Sequence, residues 1–138
     1  MTAKLLRQAA ALLRRRAAEA TGSPDERWMV DQDEAGALIL AGFAPEDIEP
    51  DGTVSGSTLA SFAYAADPEQ RTHAQALGAA AHMAGLDPQT AVLLAVWLET
   101  TASLQDRAEE LGDVEGAAPL VEPAGCFACS YLRTATTR

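Results

Sequence analysis

Residues 67–112 read DPEQRTHAQALGAAAHMAGLDPQTAVLLAVWLETTASLQDRAEELG, and two helix starts of the same design divide them. Asp67-Pro68 and Asp87-Pro88 each place an aspartate where its side chain accepts from free backbone N–H groups, followed by a proline where a helix needs no donor. We expect one helix after each start, joined as an antiparallel hairpin by Gly85-Leu86-Asp87. Gly112 is a typical left-handed cap for the second helix.

The segment 91–98 reads AVLLAVWL and contains no polar residue. A helix that is apolar on all sides has to be surrounded by protein, and this run is much shorter than the roughly 20 apolar residues that span a membrane. We therefore predict a core helix with Trp97 inside. Its continuation is amphipathic through Leu104, Ala108 and Leu111. The preceding helix, over about 68–84, carries a stripe of Ala74, Leu77, Ala81 and Ala84.

Length and composition indicate a single domain over 1–138. Apolar residues make up 48 % of the chain but aromatic residues only 5 %, which favours a helical core of small side chains with few large anchors. Residues 1–16 mix basic residues with leucines and lack the separate apolar segment of a signal peptide. A cytoplasmic protein without membrane association is expected.

The net charge of −10 is unevenly distributed along the chain. Residues 1–20 hold five basic and one acidic side chain, a charge of +4, whereas residues 21–138 hold five basic and nineteen acidic ones, a charge of −14. An acidic body repels a phosphate backbone, so nucleic-acid binding is not expected.

The positive charge lies on an amphipathic helix predicted over 1–22. Its apolar face comprises Leu5, Leu6, Ala9, Leu12, Leu13, Ala17 and Ala20. Its basic face has two interpretations: it is solvated or pairs with the acidic body, or it belongs to an oligomerisation helix or an arm for an acidic partner. In the second case the partner-binding residues are Arg7, Arg14, Arg15 and Arg16.

Residues 25–64 lose helical periodicity, and short apolar runs alternate with glycines and acidic residues. Residues 27–30 and 37–40 are predicted strands, although 37–40 also fits one turn of helix. A polar loop follows, with a turn at Asp51-Gly52, and 53–64 contributes one or two further strands. This pattern predicts a small antiparallel sheet.

The C-terminal part is rich in Gly, Ala and Pro over 113–122, which indicates a linker, and 123–134 is a predicted last helix. Together these elements predict an α+β fold, in which a small antiparallel sheet packs with three to four helices around a central helical hairpin.

Cys126 and Cys129 form the one motif with reactive side chains. On a helix the two sulfurs share a face, and a redox pair would need a lowered thiolate pKa at an exposed helix start. The alternative is two small buried side chains in a helix docked through Phe127 and Tyr131. A zinc site would need further ligands, for which His82 is the weak candidate.

The sequence contains no catalytic constellation. His73 and His82 are nine residues apart, a spacing that does not converge on one metal from a single helix. Phosphate-binding loops, dinucleotide fingerprints and nucleophile elbows are lacking. We therefore expect no enzyme, no catalytic residue and no cofactor.

Arg27 and Trp28 are the candidate ligand-binding residues. A neighbouring arginine and tryptophan can stack on a base or another ring. The alternative is a tryptophan that closes the sheet against the first helix.

The segment 79–98 contains Ala-x-x-His-Met-Ala-Gly-Leu-Asp-Pro-x-Thr-Ala-Val-Leu-Leu-Ala, the first helix ends in Ala20-Thr21, and Trp28 precedes Val30 by two residues. In these features the chain resembles small phage and prophage proteins of the Ead-like group and similar uncharacterised proteins of actinobacterial phages. It lacks their Thr-Pro-Gly-Pro-Trp entry to the first strand. The resemblance implies a phage accessory protein that is expressed in the host and is able to oligomerise, and it implies no reaction.

The predicted function is that of a non-enzymatic phage or prophage accessory protein that self-associates and binds a host partner. Two alternatives stay open. One is a protein that sequesters a small molecule, such as a nucleotide signal, in a pocket near Arg27 and Trp28. The other is a thiol or metal-binding protein that acts through Cys126 and Cys129.

Overall fold

The computed structural model describes residues 2–21, 25–34, 37–62 and 73–133. Over these residues the fold is α+β, as predicted, with a small antiparallel sheet and four helices. In chain order the elements are α1 (Thr2–Ala20), β1 (Arg27–Gln32), β2 (Leu38–Phe43), a 3₁₀ turn (Pro45–Asp47), β3 (Ser57–Phe62), α2 (His73–Gly85), α3 (Pro88–Leu111) and α4 (Val114–Arg133).

The chain forms two compact units, which we describe separately. The helical unit comprises Met1–Glu19 and Ala91–Arg138, and the sheet unit comprises Ala20–Thr90. The prediction of a single domain over 1–138 stays a prediction. The cap predicted at Asp67 and the strand residue Tyr64 lie outside the described residues.

The sheet unit is built on an antiparallel sheet of order β1-β2-β3. Trp28 pairs with Gly42 in one ladder, and Leu38 pairs with Phe62 in the other. The central strand β2 is buried from Leu38 to Gly42, and α2 packs against β1 and β2. The alternative of a helical turn at 37–40 is wrong, because both edges of this segment are used by neighbouring strands.

The loop between β2 and β3 contains the predicted turn. Gly52 has a φ of +86°, a conformation that glycine adopts without steric cost, and the Thr53 N–H donates to Asp51 Oδ1 at 2.9 Å. This loop therefore folds on its own local hydrogen bonds.

Helix α2 buries a different face from the one predicted. Leu77 is exposed and Ala81 is exposed, whereas Ala76 and Ala80 are buried. A segment of mostly alanine and glycine offers several faces of nearly equal hydrophobicity, so the packing against β1 and β2 selects the face.

The helical unit has a core contributed by α1, α3 and α4. The core residues are Ala3, Leu6, Ala9, Ala10, Leu13, Ala17, Ala91, Ala95, Leu98, Ala102, Ala124 and Ala128. This confirms the predicted apolar face of α1, except that Ala20 is exposed. Nine of the twelve are alanines, which lets the three helices approach closely, and the fully buried leucines provide most of the side-chain volume.

The predicted linker at 113–122 is wrong, because α4 is continuous from Val114 to Arg133 and includes Pro119 and Pro123. An internal proline costs a helix about 3 kcal/mol or more. The buried stripe of α4 offsets that cost through contacts with the rest of the unit; it consists of Ala117, Val121, Ala124 and Ala128. Asp113 gave an overlooked signal, since its carboxylate accepts from the Gly116 N–H and caps the helix start.

Both ends of α3 are as predicted. Asp87 Oδ1 accepts from the Thr90 N–H at 2.9 Å, and Pro88 follows as the first helical residue. Gly112, at φ +70°, ends the helix, and the Asp113 N–H returns to the Ala108 carbonyl. Helices α2 and α3 are consecutive and are separated by Leu86 and Asp87.

Candidate interaction surface

Helix α3 carries an exposed apolar face, contrary to the prediction of a helix enclosed on all sides. Leu93 is 69 % exposed, Leu111 65 %, Trp97 41 % and Leu104 37 %. Only the opposite stripe faces the core, where Ala95, Leu98 and Ala102 are fully buried. The alanines on that stripe account for the difference: the small residues face the core, and several of the larger ones lie on the exposed face.

The exposed residues lie at a regular spacing along α3. Together they form a line that we call the outer stripe. Its members follow one another at intervals of four and three residues: Leu93, Trp97, Thr100, Leu104, Arg107 and Leu111. Alternation of four and three is the heptad repeat by which one helix packs against another. All six are exposed, and Val96 adds a further exposed apolar side chain beside them. Among the described residues, the outer stripe thus presents large apolar side chains at heptad spacing that are only partly covered.

The polar members of this face already have hydrogen-bond partners. Thr100 Oγ1 donates to the Val96 carbonyl at 2.9 Å, and Ser103 Oγ donates to the Glu99 carbonyl at 3.2 Å. A hydroxyl that donates within its own helix leaves no orphan donor when the face is covered. Arg107 pairs with Glu110 at 2.8 Å on the helix surface. A partner can therefore cover the outer stripe without stranding a neutral polar group.

Trp97 is held at the edge of the outer stripe by an aromatic cluster. Its ring meets Phe127 edge-on, with ring centroids 6.1 Å apart, and Phe127 stacks on Tyr131 at 5.8 Å. Such pairs contribute about 0.5–1.5 kcal/mol each beyond area burial. The indole is thus fixed from the α4 side while part of it faces outward. Phe127 and Tyr131 also dock α4 on the core, as predicted.

The basic residues of α1 are used within the helical unit, in agreement with the first interpretation of this face. Arg14 makes two hydrogen bonds to Glu99, at 3.0 and 2.7 Å, and Arg7 Nη2 lies 2.5 Å from Asp106 Oδ2. All four side chains are partly exposed, so each ion pair adds at most about 1 kcal/mol. These pairs tie α1 to α3.

The hydrogen bond to Arg14 lowers the pKa of Glu99, and the nearby positive charge acts in the same direction, while burial opposes both. The same hydrogen bond raises the pKa of Arg14. Each partner is therefore held in its charged form.

Arg16, which lies within the leucine arc of α1, caps the aromatic cluster. Its guanidinium carbon is 5.1 Å from the centre of the Tyr131 ring, within cation–π range. Of the four arginines predicted to bind a partner, Arg7, Arg14 and Arg16 thus make contacts inside the unit, and Arg15 is exposed. The four side chains do not form one free basic patch.

Arg27 joins β1 to the start of α3. Its Nε lies 2.5 Å from Asp87 Oδ2, and its Nη1 donates to Gln89 Oε1 at 3.2 Å. The Asp87 carboxylate is buried, which disfavours its charged form, yet the Thr90 N–H and hydroxyl and the Arg27 guanidinium outweigh burial and lower the pKa of Asp87. Arg27 therefore has a structural role, together with the cap of α3.

Trp28 does not share a site with Arg27. Adjacent residues of a strand point to opposite faces of a sheet, so β1 separates the two side chains. Trp28 lies on the same side as Glu26, whose carboxylate sits over Gly42. Two buried polar atoms there, Trp28 Nε1 and Glu26 Oε2, have no hydrogen-bond partner among the described residues. The geometry of β1 therefore does not bring Arg27 and Trp28 together around one ring, and their role as ligand-binding residues stays a prediction.

Cys126 and Cys129 are both free and exposed, which corrects the prediction of two buried side chains. They lie well inside α4, so the predicted proximity to a helix start is also wrong. His82, the weak zinc-ligand candidate, is exposed. Within the described ranges, no group of three or more His, Cys, Asp or Glu side chains is placed to hold a metal ion. Cys126 and Cys129 are therefore accessible thiols on the surface of α4.

None of the helices in the part of the chain that the structure describes combines the length and the apolar composition needed to cross a bilayer.

Comparisons with known proteins add no functional assignment to this geometry. No protein-family model, curated protein or solved structure matches the chain. The resemblance to Ead-like phage proteins stays a prediction, and a function has to be inferred from the surfaces described above.

Proposed function

We propose that the protein is a non-enzymatic binding protein that self-associates through the outer stripe of α3. The observation that carries the proposal is the heptad spacing of large apolar side chains on an exposed helix face. Large apolar patches on a folded protein mark interaction sites. The resemblance of 79–98 to phage proteins is the ground for expecting a host cell as the setting and a host protein as the further partner.

The outer stripe supports a contact of modest strength. From Leu93 to Leu111 it extends about 27 Å, at 1.5 Å per residue. Pairing along one helix of this length gives an interface at the low end of specific protein contacts, which bury less than about 1,200 Å² in total. We therefore expect dissociation in the micromolar range.

Leu93 supplies a quantitative test. Full burial of a leucine side chain is worth about 1.5–3 kcal/mol, so covering the exposed 69 % of Leu93 is worth about 1 kcal/mol beyond the alanine. A symmetric dimer contains this contact twice. Leu93→Ala should therefore weaken the dimer by about 2 kcal/mol, which is roughly 30-fold in Kd.

Sedimentation equilibrium over a range from about 1 to 500 µM, spanning the expected micromolar Kd, measures this effect. The matched control is Leu77→Ala, which removes the same atoms from an exposed position on α2. We expect the wild type to approach twice the monomer mass of 14.4 kDa, the control to do the same over the same concentrations, and Leu93→Ala to need roughly 30-fold more protein for the same degree of association. A wild type that remains a monomer at every concentration refutes the proposal.

Small-molecule binding beside Trp28 is a second candidate, favoured by the orphaned atoms Trp28 Nε1 and Glu26 Oε2. A donor and an acidic acceptor on the same face of the chain suit a neutral hydroxyl or amide compound rather than a nucleotide, because Arg27 lies on the other face. A bound ligand at 100 times its Kd adds about 2.7 kcal/mol of stability. A thermal-shift screen of such compounds tests it, with Trp28→Phe as a variant that removes the N–H donor together with part of the indole ring. No shift with any compound rejects it.

A further inference from the structure

We infer that the partner of the outer stripe is a second copy of this chain, with the two α3 helices antiparallel and related by a two-fold axis at the level of residue 102. This inference rests on the proposed self-association and adds the identity and direction of the partner helix. It follows from the order of side chains along the outer stripe.

The outer stripe is complementary to its own reverse. Reversed about residue 102, its positions fall opposite one another in three kinds of pair: Leu93 with Leu111, Trp97 with Arg107, and Thr100 with Leu104. A two-fold axis repeats each pair, so that all six positions of each copy have a partner. The most exposed leucines meet at both ends, where each covers the other.

The one charge in the outer stripe decides the direction of pairing. In a parallel pair in register, Arg107 would face Arg107 at the seam, and like charges placed directly opposite are destabilising. In the antiparallel pair Arg107 faces Trp97, and a guanidinium over an indole is the most favourable cation–π combination. Trp97 is already 41 % exposed and anchored by Phe127, so its ring is available without rearrangement.

The centre of the antiparallel pair is also compatible with burial. Thr100 would lie opposite Leu104, and its hydroxyl is already bonded to the Val96 carbonyl. Arg107 keeps its pairing with Glu110 in this arrangement, because the two residues are three apart on the same helix. Each copy therefore enters the dimer with its polar groups satisfied.

Disulfide trapping in the full-length chain distinguishes the directions. In a background of Cys126→Ser with Cys129→Ser, which removes the exposed native thiols, Thr100→Cys and Leu104→Cys are made separately with tags of different mass. Disulfides need Cα atoms within about 7 Å, and a displacement of four residues along a helix adds about 6 Å. We expect an equal mixture to yield mainly the 100–104 mixed disulfide, about fivefold or more over either homodisulfide.

A second pair, Leu93→Cys with Leu111→Cys, repeats the test at the ends of the outer stripe, at a protein concentration raised about 30-fold to offset the weaker dimer expected without Leu93. Mainly homodisulfides in both pairs would overturn the antiparallel arrangement while leaving self-association in place. Absence of any trapped dimer, together with a wild type that sediments as a monomer, would overturn the proposed function and this inference with it.

Discussion

Leu98→Ala and Leu93→Ala remove the same atoms from the same helix, five residues apart, and the structure predicts losses of folding stability of very different size. Leu98 is fully buried in the core of the helical unit, whereas Leu93 is 69 % exposed. Removing a buried leucine side chain costs its transfer free energy, about 2 kcal/mol, and a cavity term that brings typical losses to about 2–5 kcal/mol. We expect about 3–4 kcal/mol for Leu98→Ala, because the surrounding alanines have no side-chain freedom with which to fill the space.

Leu93→Ala should lower the free energy of unfolding by about 0.5 kcal/mol, since only about a third of the side chain is covered in the monomer. Both residues are good helix formers, so the change in helix propensity is small. The difference between the stability losses of the two variants therefore reports the difference in side-chain burial.

Urea unfolding followed by circular dichroism at 222 nm measures both variants. The protein should be below the dimer dissociation constant, and the midpoint should be independent of protein concentration, because self-association adds to apparent stability. Equal losses for the two variants, or a loss under 1 kcal/mol for Leu98→Ala, would mean that the two faces of α3 are assigned incorrectly.

The cap of α3, its terminal glycine and the net charge of the chain each give a further prediction. Asp87→Ala should lower the free energy of unfolding by about 1–3 kcal/mol, because the helix cap and the ion pair are lost. Folding lowers the pKa of Asp87, so this stabilisation is present above the unfolded pKa, near 4. The difference from wild type in urea midpoints should therefore vanish as the pH falls through the lower folded pKa. Gly112→Ala, at φ +70°, should cost about 1 kcal/mol in the same assay, and an unchanged midpoint would contradict the left-handed cap. Raising NaCl from about 0.05 to 0.5 M should tighten the dimer seen by sedimentation, since each chain carries −10, and weaker association in salt would point to an electrostatic contact instead.

Local signals in the sequence were sufficient for most elements of the fold. The cap at Asp87 and the glycine at 112 define the two ends of α3, and both act through hydrogen bonds of a few neighbouring residues. Strand β2 was found from its apolar run between turn residues. Helix α4 was missed because Pro119 and Pro123 argue against a helix locally, and only packing of the unit as a whole outweighs them.

The interaction surface could not be predicted from the sequence. An unbroken apolar run such as 91–98 has no polar residues to mark its outward side, so periodicity alone indicates burial all round. Which side faces the core depends on the alanines of α1 and α4, which are distant in sequence. Similarly, Arg27 and Trp28 are neighbours in the chain, and only the strand geometry of β1 directs them apart.

The alanine-rich interior of the helical unit makes its tolerance of substitution one-sided. Methyl groups such as those of Ala9, Ala95 and Ala102 have no rotamers to adjust, so an added valine or threonine branch can be accommodated only by moving a whole helix. A larger side chain at one of these sites should therefore lower the stability of the fold more than a charge reversal anywhere on the surface. The positions of these helices are therefore determined more by the close contact of their backbones over alanine than by large side chains that fill the space between them.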